Sequence, residues 1–134
     1  MITKESFIVR FQNAGGKINE EMMAFLDDHW DNVSTAAARA GAAMPGIGFL
    51  SRTQRWNAFM ATCRYLDQLR EKEGLTGEEA FMAMTVLRVF NKKFMKAIII
   101  FELTAMRAGL DERLSMPQTA QDYLRSIEVN QRGF

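Results

Sequence analysis

Cysteine is nearly missing from this chain. Cys63 stands alone, which excludes an intrachain disulfide and any thiolate-built zinc site, and nothing argues for an oxidising compartment. Histidine is as scarce: His29 is the one imidazole, no serine or cysteine has the local signature of an activated nucleophile, and no triad can be assembled. Walker-type and dinucleotide-binding glycine patterns are lacking, and no repeat of 20 to 50 residues is visible. Charge of one sign is lacking too. With 17 basic and 16 acidic side chains the net charge is +1, which gives no overall pull toward nucleic acid or anionic membrane. No apolar run reaches the roughly 18 residues of a membrane span. Lys92, Lys93, Lys96 and Glu102 bracket Ile98, Ile99 and Ile100 too closely, and the first residues show neither the apolar stretch nor the cleavage site of a leader. These absences lead us to expect a cytoplasmic, non-enzymatic protein with no catalytic residues, metal, cofactor or membrane partner, belonging to a cell or to something that infects it.

Strands are hard to place. Phe7-Ile-Val-Arg-Phe11 alternates, yet no second convincing strand exists to satisfy its backbone, so a helix starting at Thr3 and ending at Gly15-Gly16 is the better reading. The chain is then read as all-α, a compact bundle of four to five helices over 1–129 with a frayed tail at 130–134. A second helix is expected from about 19 to 43, with Met22, Leu26, Trp30, Val33, Ala37 and Ala40 inward. Its outer face starts acidic and ends in small residues that allow another backbone to approach. Ser51-Arg-Thr-Gln54 has capping-box spacing and opens a third helix to about Lys72, and Ser115-Met-Pro-Gln118 has the same spacing before a last helix carrying Ala120, Tyr123, Leu124 and Ile127.

The element around which the rest is organised is a long central helix, about 77–108, opened by the box Thr76-Gly-Glu-Glu79. Ala83, Leu87, Phe90, Phe94, Ala97 and Phe101 form one apolar stripe, widened by Ala80, Met84, Met95 and Ile98. As one rod it would be about 48 Å long, more than a domain with a radius of gyration of roughly 14 Å accommodates. It must kink near Asn91-Lys92-Lys93, or the domain is elongated, or a partner buries its end. The nearly closed apolar ring at 97–101 makes self-association one of the expectations. The expected core also includes Trp56, Phe59, Leu66 and Leu124.

The basic residues fall in acid-free blocks. On the long helix Arg88, Lys92 and Lys96 follow at i, i+4 and i+8, forming a ridge opposite the aromatic stripe. This ridge is either solvated, or neutralised by the acidic start of the second helix, or a docking face for an acidic protein partner or a phosphate backbone. In Met44-Pro-Gly-Ile-Gly-Phe-Leu50 the breakers Pro45, Gly46 and Gly48 alternate with apolar residues, so the segment either tucks into the core or offers Ile47 and Phe49 as a contact surface. Asp27, Asp28, His29 and Asp31 have metal-ligand chemistry, but helical geometry turns His29 about 200° from Asp27, and its apolar neighbours place it at the core edge.

The segment from Phe25 through Asn32-Val-Ser-Thr-Ala-Ala37 to Gly41 resembles the opening of the helix-turn-helix in Fis-type regulators and small-terminase-like phage proteins. The resemblance implies a helix capped by Ser34, Ala37 packed on its partner helix, Gly41 in the turn, and Ser51-Arg-Thr-Gln-Arg-Trp56 as the start of a recognition helix. Arg39, Arg52 and Arg55 would then face nucleic acid. In the family the second helix follows the glycine almost directly, whereas here Ala42 to Leu50 intervene. The leading expectation is a bacterial or phage protein that binds another protein as an adaptor, inhibitor or assembly component. Its ten methionines suit adaptable apolar contacts. The alternative is a nucleic-acid-binding module.

Overall fold

In the computed structural model, which describes residues 2–44 and 51–132, the chain folds into seven α-helices, and none of the described residues forms a strand. These are α1 (Lys4–Asn13), α2 (Glu20–Ala43), α3 (Arg52–Glu73), α4 (Gly77–Phe90), α5 (Lys92–Thr104), α6 (Leu110–Leu114) and α7 (Gln118–Arg132), with a 3₁₀ turn at Ala105–Arg107 after α5. The expected starts are observed. Thr3, Ser51 and Thr76 each accept a hydrogen bond from the third backbone N–H of their helix, with reciprocal side-chain bonds completing three capping boxes. Asn19 caps α2 by accepting from the N–H of Met22. Gly74 ends α3 at φ 74, a left-handed conformation that glycine adopts without steric cost.

The expected 77–108 helix is two helices, and Asn91 is the reason. Its φ of −120 and ψ of 108 are extended, its N–H closes α4 on the carbonyl of Leu87, and its Oδ1 opens α5 by accepting from the N–H of Phe94. One short polar side chain thus serves both helix ends, and the length problem disappears without elongation. The break frees the two halves to pack differently: α4 lies mainly along α2, and α5 mainly along α3. Gly41 makes the first contact close, since a Cβ there would meet the Leu87 side chain at 3.2 Å. Gly41, among the small residues that end α2, therefore lets α4 approach closely. The Asn91 break also divides the row of Arg88, Lys92 and Lys96 between two helices.

Phe59, Phe94 and Phe101 are fully buried at the centre of the bundle. Phe59 stacks on Phe101 at 4.2 Å and on Phe94 at 5.7 Å between ring centroids, while Trp56 and Tyr123 close on Phe101 at 5.5 and 6.1 Å. Leu66, Leu87, Ile98 and Leu124 join this core as expected. Trp56 and Phe90 are only half-buried: Trp56 lies in the first turns of α3, and Phe90 ends α4 beneath the Arg10 guanidinium, 4.6 Å from its ring centroid. Met95 departs further from its expected place in the stripe, because the break at Asn91 turns it outward and leaves it 37% exposed.

The start of α7 corrects another expectation. Ser115 does not cap it, because the short helix α6 claims that residue and its hydroxyl donates to the Glu112 carbonyl. The cap comes from α3 instead: the Asp67 carboxylate accepts from the N–H groups of Gln118 and Thr119 at 2.8 and 2.9 Å. A carboxylate at the positive end of the helix also offsets its dipole. Asp67→Ala is therefore expected to cost about 1–2 kcal/mol in urea unfolding, and a loss under about 0.5 kcal/mol would contradict this capping role. Arg113 ties the same region together by donating to the carbonyls of Met106 and Ala108 and, through Nη1 alone, to both carboxylate oxygens of Glu128. Helix α7 continues to Arg132, past residue 130 where the sequence placed the tail.

Candidate functional site

The basic candidates do not form one surface. Arg88, half-buried, donates to Glu102 and to the Tyr123 hydroxyl. Burial opposes its charge, and Glu102 more than compensates, holding its pKa above the usual arginine value. Tyr123 is pushed up to about 12 by burial and by Glu102. Arg88 thus stitches α4 to α5 and α7, and only Lys92 and Lys96 remain exposed from the expected ridge. Neither ridge nor acid meets as the sequence suggested: the start of α2 answers Lys4 through Asp27, not Arg88.

Arg39 pairs with Glu73 at 2.7 Å, at the far end of α3 from Arg52. Along the helix axis those ends are about 32 Å apart. Arg52 is exposed and Arg55 half-buried, so the structure does not bring Arg39 to the other two. Ser34 lies inside the unbroken α2, its hydroxyl 3.4 Å from the Asp31 carbonyl, and Gly41 is helical as well. The cap and turn implied by the helix-turn-helix resemblance are therefore not formed at those residues. Ile47 and Phe49 lie outside the described residues.

Two other surfaces stand out. Ala97, Ile98, Ile100 and Phe101 are covered by the chain's own helices, so the apolar ring at 97–101 is closed internally except at Ile99. What remains outside is a different row, Met95, Ile99 and Leu103 at i, i+4 and i+8, exposed by 37, 39 and 61%. Lys92 and Lys96 flank it and make no ion pair among the described residues. Leu110 and Leu114 of α6 are also exposed.

The second surface is an open groove of about 780 Å³ between the first halves of α2 and α4. Met22, Phe25, Phe81 and Met82 give it an apolar lining, and Glu21, Asp28, Glu78 and Asp122 give it a rim of carboxylates without lysine or arginine. Arg70 holds Asp122 at 3.1 Å from outside the groove; the other three acids have no ion pair among the described residues. His29 lies against Phe25 with ring centroids 4.3 Å apart. Its Nδ1 is 3.0 Å from Glu79, a buried carboxylate that also accepts from Asn32 and from the Thr76 N–H. Burial alone would raise the Glu79 pKa, but these donors hold it below the usual carboxylate value. The imidazole is thus a polar tether between α2 and α4 at the core edge.

The sequence shows the acids and the methionines of this groove but not that α2 and α4 lie side by side, so it was not foreseen. Asp27, Asp28, His29 and Asp31 diverge, and among the described residues no three metal-ligating side chains converge. None of the described helices is long and apolar enough to cross a membrane. Comparison with protein-family models, with curated proteins and with solved structures finds no match to this chain.

Proposed function

We propose that this protein acts by binding another protein, as an adaptor, inhibitor or assembly component, through the outer face of α5. The carrying observation is the row Met95, Ile99 and Leu103, with Lys92 and Lys96 beside it. The helix commits Phe94, Ala97, Ile98 and Phe101 to the core, and among the described residues nothing buries the outer row, so a partner is what would take these side chains out of water. The lysines favour an acidic rim on that partner and speed its capture more than they tighten it. The nucleic-acid reading draws less support, because Arg39 and Arg88 each hold a carboxylate of the same chain.

The test is a pull-down from the source cell with wild type and with Ile99→Glu/Leu103→Glu, run in parallel with nuclease. A protein retained by wild type, insensitive to nuclease, and bound at least about 30-fold more weakly by the variant is expected, because anchoring apolar residues are worth roughly 2 kcal/mol or more. Retention lost on nuclease treatment would favour nucleic acid. Equal retention by both proteins would remove α5 from the account.

A further inference from the structure

The α2–α4 groove and the outer row of α5 complement each other. The groove offers apolar side chains inside a rim where Glu21, Asp28 and Glu78 carry no ion pair among the described residues; no lysine or arginine lines it, and Arg70 at its edge is held by Asp122. The α5 row offers apolar side chains flanked by Lys92 and Lys96, and the one acid of α5 itself, Glu102, is engaged by Arg88. The two surfaces share no residue and belong to different helices. From Met95 to Leu103 the row extends about 12 Å, short enough for a single groove to receive its three side chains together.

We propose that α5 of one copy of this chain docks into the α2–α4 groove of a second copy, head to tail. The inference rests on the reading that the α5 row is a protein contact, and it names the partner. Because row and groove are different surfaces, each added copy leaves one of each free, so the contact propagates into a ring or an open chain rather than stopping at a symmetric dimer. Three unpaired carboxylates facing two unpaired lysines make the assembly weaken as salt rises.

Light scattering coupled to size exclusion, with the full chain, tests this through two exposed charge reversals that leave the core untouched. Lys92→Glu/Lys96→Glu spoils only the row, and Asp28→Lys/Glu78→Lys spoils only the groove. Wild type is expected to grow in mass with concentration, and each variant alone to self-associate at least about tenfold more weakly. Mixed one to one, the variants are expected to recover assembly in alternation, since the intact lysine row meets the intact acidic groove and the reversed row meets the reversed groove, each pair opposite in charge. Unchanged helical circular dichroism keeps the comparison between folded proteins. A wild type that stays monomeric overturns the inference, as does a mixture that does not recover assembly. Assembly by the groove variant equal to wild type, with loss in the row variant, would mean that row meets row, and overturns it too. In each of these cases the α5 reading itself stands or falls separately, on whether Ile99→Glu/Leu103→Glu loses a protein partner.

Discussion

Replacing Phe101 by Ala is expected to cost about 3–5 kcal/mol of folding stability, among the largest losses a single substitution in this chain can produce. The ring is fully buried and touches Phe59 at 4.2 Å, with Trp56 and Tyr123 closing its remaining sides. Those neighbours come from α3 and α7, so truncation leaves a cavity walled by three helices that cannot all collapse into it. Aromatic contacts add to the burial that is lost. Phe94→Ala, with the same complete burial and a ring on Phe59, belongs in the same range. Urea unfolding followed by circular dichroism measures both. A loss below about 1 kcal/mol at Phe101 would mean the aromatic centre is not packed as described.

Glu79→Ala is the second large effect, expected at about 2–4 kcal/mol. The carboxylate is buried and answers the Thr76 N–H, the Asn32 amide and His29 at once. Its removal strips α4 of half its capping box and leaves the Asn32 and His29 donors between α2 and α4 without their acceptor. The pH dependence has a definite sign. A carboxylate held below its ordinary value of 4.5 contributes stability that is complete at neutral pH and is lost as pH falls through its folded pKa. The stability gap between wild type and Glu79→Ala is therefore expected to be widest near neutrality and to narrow in acid, from about pH 4.5 downward. A gap that widens in acid would show that the ionised form is not what the site stabilises.

The same residues show what sequence reveals and where it stops. Local chemistry was legible: the cap at Thr3 and the boxes at Ser51 and Thr76 fix helix starts within three residues of chain, and Phe94, Phe101, Leu87 and Leu124 lie on stripes set by helical periodicity. Asn91 was legible only as one way to relieve an over-long rod, because helix periodicity runs smoothly through it. Nothing local distinguishes Ser115 from a capping serine. Its displacement depends on Asp67, some fifty residues earlier, whose position at the foot of α7 is set by helix packing. Pairing partners were illegible for the same reason. Arg88 was read as solvated, docking or paired with the start of α2, because its own stretch supplies no acid nearby, whereas Glu102 reaches it only after the chain turns at Asn91. The groove needed the adjacency of α2 and α4, which periodicity cannot give.

The proposed contact joins the outer face of α5 to the α2–α4 groove of another copy. Methyl resonances of the methionines report on it directly, because Met95 sits on the row, Met22 and Met82 line the groove, and Met84 is fully buried in the core. On raising the concentration of wild type, Met95, Met22 and Met82 are expected to shift together along one binding curve while Met84 stays fixed. Movement of Met95 without the groove methionines, or no movement of any of them, would contradict it.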